Sequence, residues 1–139
     1  GQGYFLAAGN HNTVTRCVAS DCENGMNVQK ENDMLVMNCA FTGNTVCALR
    51  LDVSPTIAVD NRFEGNWVDV MAYGDAEVTL GNNQFQGSGS CALYLRDIPY
   101  SRILDNRFIN SQGSSIQCHG DMGGTVLEDN SLDKPMEVS

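Results

Sequence analysis

Basic residues are scarce in this sequence: eight Lys and Arg stand against 17 Asp and Glu, for a net charge of −9. Nucleic acid is a poor partner for such a chain, since phosphates call for a basic face. A polyanionic ligand is awkward too, unless local arginines or a cation correct the field. Long apolar runs are also missing. No stretch reaches the length of a membrane span, and the opening GQGYFLAAGN has no charged segment leading into an apolar one. Helical periodicity is absent, because no segment repeats apolar residues at i, i+3, i+4 and i+7 without glycine interrupting it. The six cysteines form neither a CxxC motif nor a Cys/His cluster at zinc spacing, so they read as free, buried thiols. With only three prolines and 42% apolar residues, the chain is nevertheless suited to a packed core, and its 139 residues suit one domain.

What the chain does contain is a repeat. DNRFEGN at 60–66 returns as DNRFINS at 105–111, and LGNNQF lies midway. Taking the phenylalanines as anchors and extending outward gives Ala19, Ala40, Phe63, Phe85, Phe108 and Leu132, at intervals of 21, 23, 22, 23 and 24 residues. Two positions before each anchor stand Cys17, Asn38, Asn61, Asn83, Asn106 and Asn130; five before stand Val14, Leu35, Ala58, Leu80, Ile103 and Leu127. A Gly-rich connection follows each anchor, and then a short alternating strand: GMNV, ALRL, DVMA, ALYL, SIQC. Short strands at such a period predict a solenoid whose coils stack in parallel about 4.8 Å apart. The asparagine column is expected to turn the chain in the left-handed region and to bond its amides from coil to coil.

The I/L-x-x-N-x-F phrase followed by G/A-I-x-L resembles the right-handed parallel β-helix of the pectin-lyase-like proteins, from Gly3 to Val138. The resemblance implies an all-β fold: a single-stranded, right-handed parallel β-helix (solenoid) of about six coils, each of about 22 residues, with an asparagine ladder. It also implies a polysaccharide partner, bound or processed by lyase, hydrolase or epimerase chemistry, and favours a secreted, periplasmic, phage or cell-surface location. The sequence itself leaves a cytosolic location open. Because the chain starts and stops in strand slots, residues 1–139 are expected to be a segment of a longer β-helix or multidomain protein, or to pair with another subunit.

Alternation in the strands after each anchor predicts one outward column of Phe5, Asn27, Arg50, Met71, Tyr94, Gln117 and Glu137. A second reads Ala7, Gln29, Asp52, Tyr73, Arg96, His119 and Ser139. Within this ribbon Tyr73, Tyr94, Arg50, Asp52 and Gln117 are the expected glycan contacts, because aromatic faces stack on sugar rings while polar groups bond hydroxyls. His119 and Asp121, with Asp97, Asp75 and Arg96, are the candidate acid/base and charge-neutralising set. The competing reading treats them as ordinary strand and turn residues of a structural or protein-interaction module. No cofactor or metal is expected. Calcium at Asp60, Asn82, Asp105 and Asp129 is the weaker alternative to a surface ion-paired with Arg62 and Arg107.

Overall fold

The computed structural model describes residues 1–7, 11–30, 33–74 and 77–139, with the backbone alone at 2 and 5–7. Among these residues every regular element is a strand, and the strands fall into three parallel sheets. The seven-stranded sheet runs through Gln2–Ala7, Asn24–Gln29, Cys47–Asp52, Val68–Tyr73, Cys91–Arg96, Ile116–His119 and Met136–Val138. One six-stranded sheet takes Thr13–Thr15, Met34–Met37, Thr56–Val59, Val78–Gly81, Arg102–Leu104 and Val126–Glu128. The other takes Val18–Ser20, Ala40–Thr42, Arg62–Glu64, Gln84–Gln86, Arg107–Ile109 and Ser131–Leu132. Each strand pairs only with its counterparts one coil before and after, so this is a right-handed parallel β-helix of about six turns.

Inward residues stack into files. Phe41, Phe63, Phe85 and Phe108 lie ring on ring with centroids 4.8 Å apart and interplanar angles of 7°, 18° and 9°. Beside them run Met26, Leu49, Val70, Leu93 and Ile116, all fully buried. Burying a file of this kind is the main favourable term, since each phenylalanine removes a large apolar surface from water.

The ladder is built as expected from Asn61 onward. The Oδ1 of Asn83 accepts from the backbone N–H of Asn61 at 2.9 Å and from its Nδ2 at 3.1 Å, and Asn83 makes the same pair of bonds to Asn106. Each Nδ2 also reaches a carbonyl of the previous coil, such as Asn83 to Ala58 at 2.9 Å.

The second coil corrects the expected alignment by one residue. Ala19 pairs with Phe41, not Ala40, and Val14 with Val36, not Leu35. The ladder position is therefore Cys39, whose N–H donates to Asn61 Oδ1 at 2.9 Å. Asn38 instead joins the column of Arg16, Asp60, Asn82, Asp105 and Asp129, which turns this corner with φ between 52° and 59°. Left-handed turning and amide bonding thus belong to neighbouring columns. Asn is tolerated in both, and that is why Asn38 imitated a ladder residue.

The Gly-rich connections hide a second, shorter ladder. Asn44 Oδ1 accepts from the N–H of Cys22 at 3.1 Å, and Asn66 Oδ1 accepts from the N–H and Nδ2 of Asn44, both at 2.9 Å. In the following coil the equivalent residue is Ser88, too short to continue the ladder. Asp69 completes it from the seven-stranded sheet, taking a 3.0 Å bond from Asn66 Nδ2 on one oxygen and a 2.5 Å bond from Ser88 Oγ on the other.

Candidate functional site

The outward columns of the seven-stranded sheet have the expected register. Asn27, Arg50, Met71, Tyr94, Gln117 and Glu137 follow one another across the pairings, as do Gln29, Asp52, Tyr73, Arg96 and His119. Phe5 and Ala7 head the two columns by backbone pairing. Strict alternation fails earlier in each strand, because Ala48 with Leu49, and Ala92 with Leu93, both enter the main core. Cys47, Val68 and Cys91 therefore form a separate small buried cluster, against which Met71 and Tyr94 pack. Met71 and Tyr94 of the ribbon thus rest on a firm apolar bed rather than standing free.

Two contacts order the ribbon further. Arg50 Nε donates to the Tyr73 hydroxyl at 2.5 Å, with its guanidinium carbon 5.5 Å from the Tyr73 ring centre. Tyr94 and His119 lie with centroids 5.0 Å apart, tilted by 36°. Tyr73, Tyr94, Arg50, Asp52 and Gln117 are all half-buried, while Arg96 is exposed. Nδ1 of His119 lies 2.5 Å from Ser139 Oγ, and its Nε2 is buried without a hydrogen-bond partner among the described residues.

The candidate catalytic residues gather at the end of the last two long strands. Asp97 turns the chain with φ 52°, and its Oδ1 accepts from the backbone N–H of Asp121 at 2.8 Å. A Cβ at Gly120 would stand 2.0 Å from that same oxygen, so this close approach requires glycine. Asp121 Oδ1 in turn accepts from the N–H of Gly123 at 3.0 Å. Both carboxylates hold turns: Asp97 follows the strand of Arg96, its N–H donating to the His119 carbonyl at 3.0 Å, and Asp121 follows the strand of His119. Asp75 lies outside the described residues.

On another face, Arg62 pairs with Glu64 at 3.2 Å, and Asp60 Oδ1 accepts from Asn82 Nδ2 at 2.7 Å. This replaces the expected aspartate–arginine pairing along that column. The corner φ values explain its Asp and Asn content without calcium. Among the described residues no three His, Cys, Asp or Glu side chains converge as ligands of a metal ion would.

The sequence reading missed Asp69. Alternation through DVMA places it outside, yet it is fully buried. Its desolvation pushes the carboxyl up to about 7, against the opposing bonds from Ser88 and Asn66. The signal was the run Gly43-Asn44, Gly65-Asn66, Gly87-Ser88, in which an amide is lost.

No curated protein and no solved structure matches the chain. Residues 1–137 match the family described as periplasmic copper-binding protein (NosD), and the chain belongs to that family.

Proposed function

We propose that this protein is an extracytoplasmic β-helix that binds a polysaccharide along the outward face of its seven-stranded sheet. The observation that carries this reading is the continuity of that face. Arg50, Tyr73, Tyr94, Arg96, Gln117 and His119 come from four successive coils, and their strands pair in unbroken register. A flat strip of half-buried rings and hydroxyl-bonding groups at coil spacing suits an extended chain of sugars. The family's description as periplasmic agrees with a glycan-rich surrounding. Tyr94 is the central contact, held by the cluster of Cys47, Val68 and Cys91 beneath it. Tyr94→Ala should weaken retention on immobilised polysaccharide by roughly tenfold, the loss of one good stacking contact, while circular dichroism stays unchanged. Tyr94→Phe should keep most of the binding. Undiminished binding by folded Tyr94→Ala would remove the ribbon from the reading.

A second reading follows the family's own description: the chain binds copper. The observation favouring it is the placement of Cys17 and Cys39 at equivalent positions of adjacent coils, two soft donors of the kind that select Cu(I). Titration of the reduced protein with Cu(I) against a chromophoric chelator tests it.

A further inference from the structure

Two thiols stand where the later coils carry the ladder amide. Cys17 and Cys39 occupy equivalent positions in adjacent coils, because the pairs Thr15–Met37 and Val18–Ala40 on either side are in register. Asn61, Asn83, Asn106 and Asn130 fill the same column further on. A carboxamide there donates to one neighbouring coil and accepts from the other, whereas a thiol is a weak donor and a weak acceptor. Cys39 Sγ reaches the Met37 carbonyl at 3.4 Å and that of Val14 only at 3.8 Å; Cys17 Sγ reaches the Thr15 carbonyl at 3.4 Å. The first two coils thus forgo a strong coil-to-coil bond. They gain two thiols stacked in one column, with the Tyr4 hydroxyl donating to the neighbouring Val18 carbonyl at 3.3 Å.

Resting on the copper reading above, we propose that Cys17 and Cys39 together form a two-thiolate site for one Cu(I) ion. Soft thiolates match a soft monovalent ion, and two-coordination is acceptable to Cu(I) where zinc demands four ligands. The lack of a third His, Cys, Asp or Glu in reach among the described residues is therefore compatible with copper and not with zinc. The coil repeat suits the ion as well. Two metal–sulfur bonds of about 2.3 Å laid end to end span about 4.6 Å, close to the ~4.8 Å between coils. Access is reasonable, since Cys17 is half-buried while Cys39 is buried against the core. Loading replaces the two S–H protons with the metal and releases them to solvent. The other thiols do not offer such a pair: Cys22 is followed in its column by Asn44, Cys47 and Cys91 have Val68 between them, and Cys118 lies in the main core.

The experiment is an anaerobic Cu(I) titration of the reduced full chain, competed against a chromophoric chelator and read also by thiolate-to-copper absorption in the ultraviolet. One Cu(I) per chain is expected. Cys17→Ser and Cys39→Ser should each weaken it at least about tenfold and abolish the absorption band, while Cys91→Ser should leave both unchanged. If the wild type binds no Cu(I), both the copper reading and this site fall. If it binds and the Cys17→Ser/Cys39→Ser double variant binds equally well, copper stands and the site assignment is overturned. Folding of the variants is checked by their unchanged circular dichroism, and Cys39→Asn, which restores a ladder amide, should fold while losing the ion.

Discussion

Asp69 is the most consequential single residue that the seven-stranded sheet places inside. Its column is otherwise small and uncharged, with Ala48 in the coil before and Ala92 in the coil after, both fully buried. The carboxylate is tolerated because it fills the gap left when Ser88 replaces a ladder asparagine, and both of its oxygens have partners. Burial still disfavours its charged form, and the folded-state value near 7 lies above the ordinary 3.8. The folded protein therefore holds this proton more tightly than the unfolded chain does. The stability that it contributes is complete below about pH 4 and is lost as pH rises toward and through 7. A displacement from 3.8 to about 7 corresponds to on the order of 4 kcal/mol across that window. Asp69→Asn keeps an acceptor for Asn66 and a donor for Ser88 and removes the titration. Thermal melts at fixed salt should show the wild type losing several degrees between pH 5 and pH 8 relative to this variant, and the variant should be the more stable at pH 8. Parallel pH profiles for the two proteins would contradict the assignment.

At the scale of the coil, the corner, the ladder and the core residue are successive duties of one short phrase. In DNRF the Asp60 backbone turns left-handed, Asn61 bonds the coils, Arg62 faces out and Phe63 fills the core. This phrase was legible because three coils spell it with the same aromatic anchor. The ribbon was legible too, since large apolar residues alternate strictly through its outer half. The second coil was not, because NCAF keeps the same order of duties but puts its asparagine at the corner and a cysteine in the ladder. The fourth stacked ring, Phe41, was the missed anchor: placing it there makes the first three intervals 22 residues each. The second ladder escaped for another reason, as turn residues and ladder residues share the same Gly-Asn vocabulary. The two duties can be separated by mutation. Phe85→Ala should cost roughly 3–5 kcal/mol by opening a cavity in the stack. Asn83→Ala, with far less apolar surface lost, should still cost roughly 2–4 kcal/mol, because it strands the buried N–H and amide of Asn61 and the carbonyl of Ala58. Urea denaturation of both variants measures this directly. A cost under about 1 kcal/mol for Asn83→Ala would mean that water replaces the ladder.

Over the whole molecule the charge balance limits what the ribbon can hold. A net charge of −9 repels a uronate or sulfated chain at long range. The arginines of the strip offer little correction, since Arg50 is bonded to Tyr73 and Asp52 shares the column of Arg96. Rings and neutral hydrogen-bonding groups such as Gln117 remain to do the binding. The glycan that fits the proposed function is therefore a neutral polysaccharide, held by stacking and hydroxyl contacts that involve no net charge. Such binding scarcely responds to salt, whereas attraction between ions is screened as the Debye length falls from about 10 Å at 0.1 M to about 3 Å at 1 M. Affinity electrophoresis across neutral and acidic polysaccharides should find retention only by neutral ones at low salt. Between about 50 and 500 mM NaCl that retention should change by less than about twofold. Tight binding of an acidic polymer that weakens steeply with salt would mean instead that Arg96 and Arg50 dominate the local field, and the ligand class would have to be reassigned to polyanions.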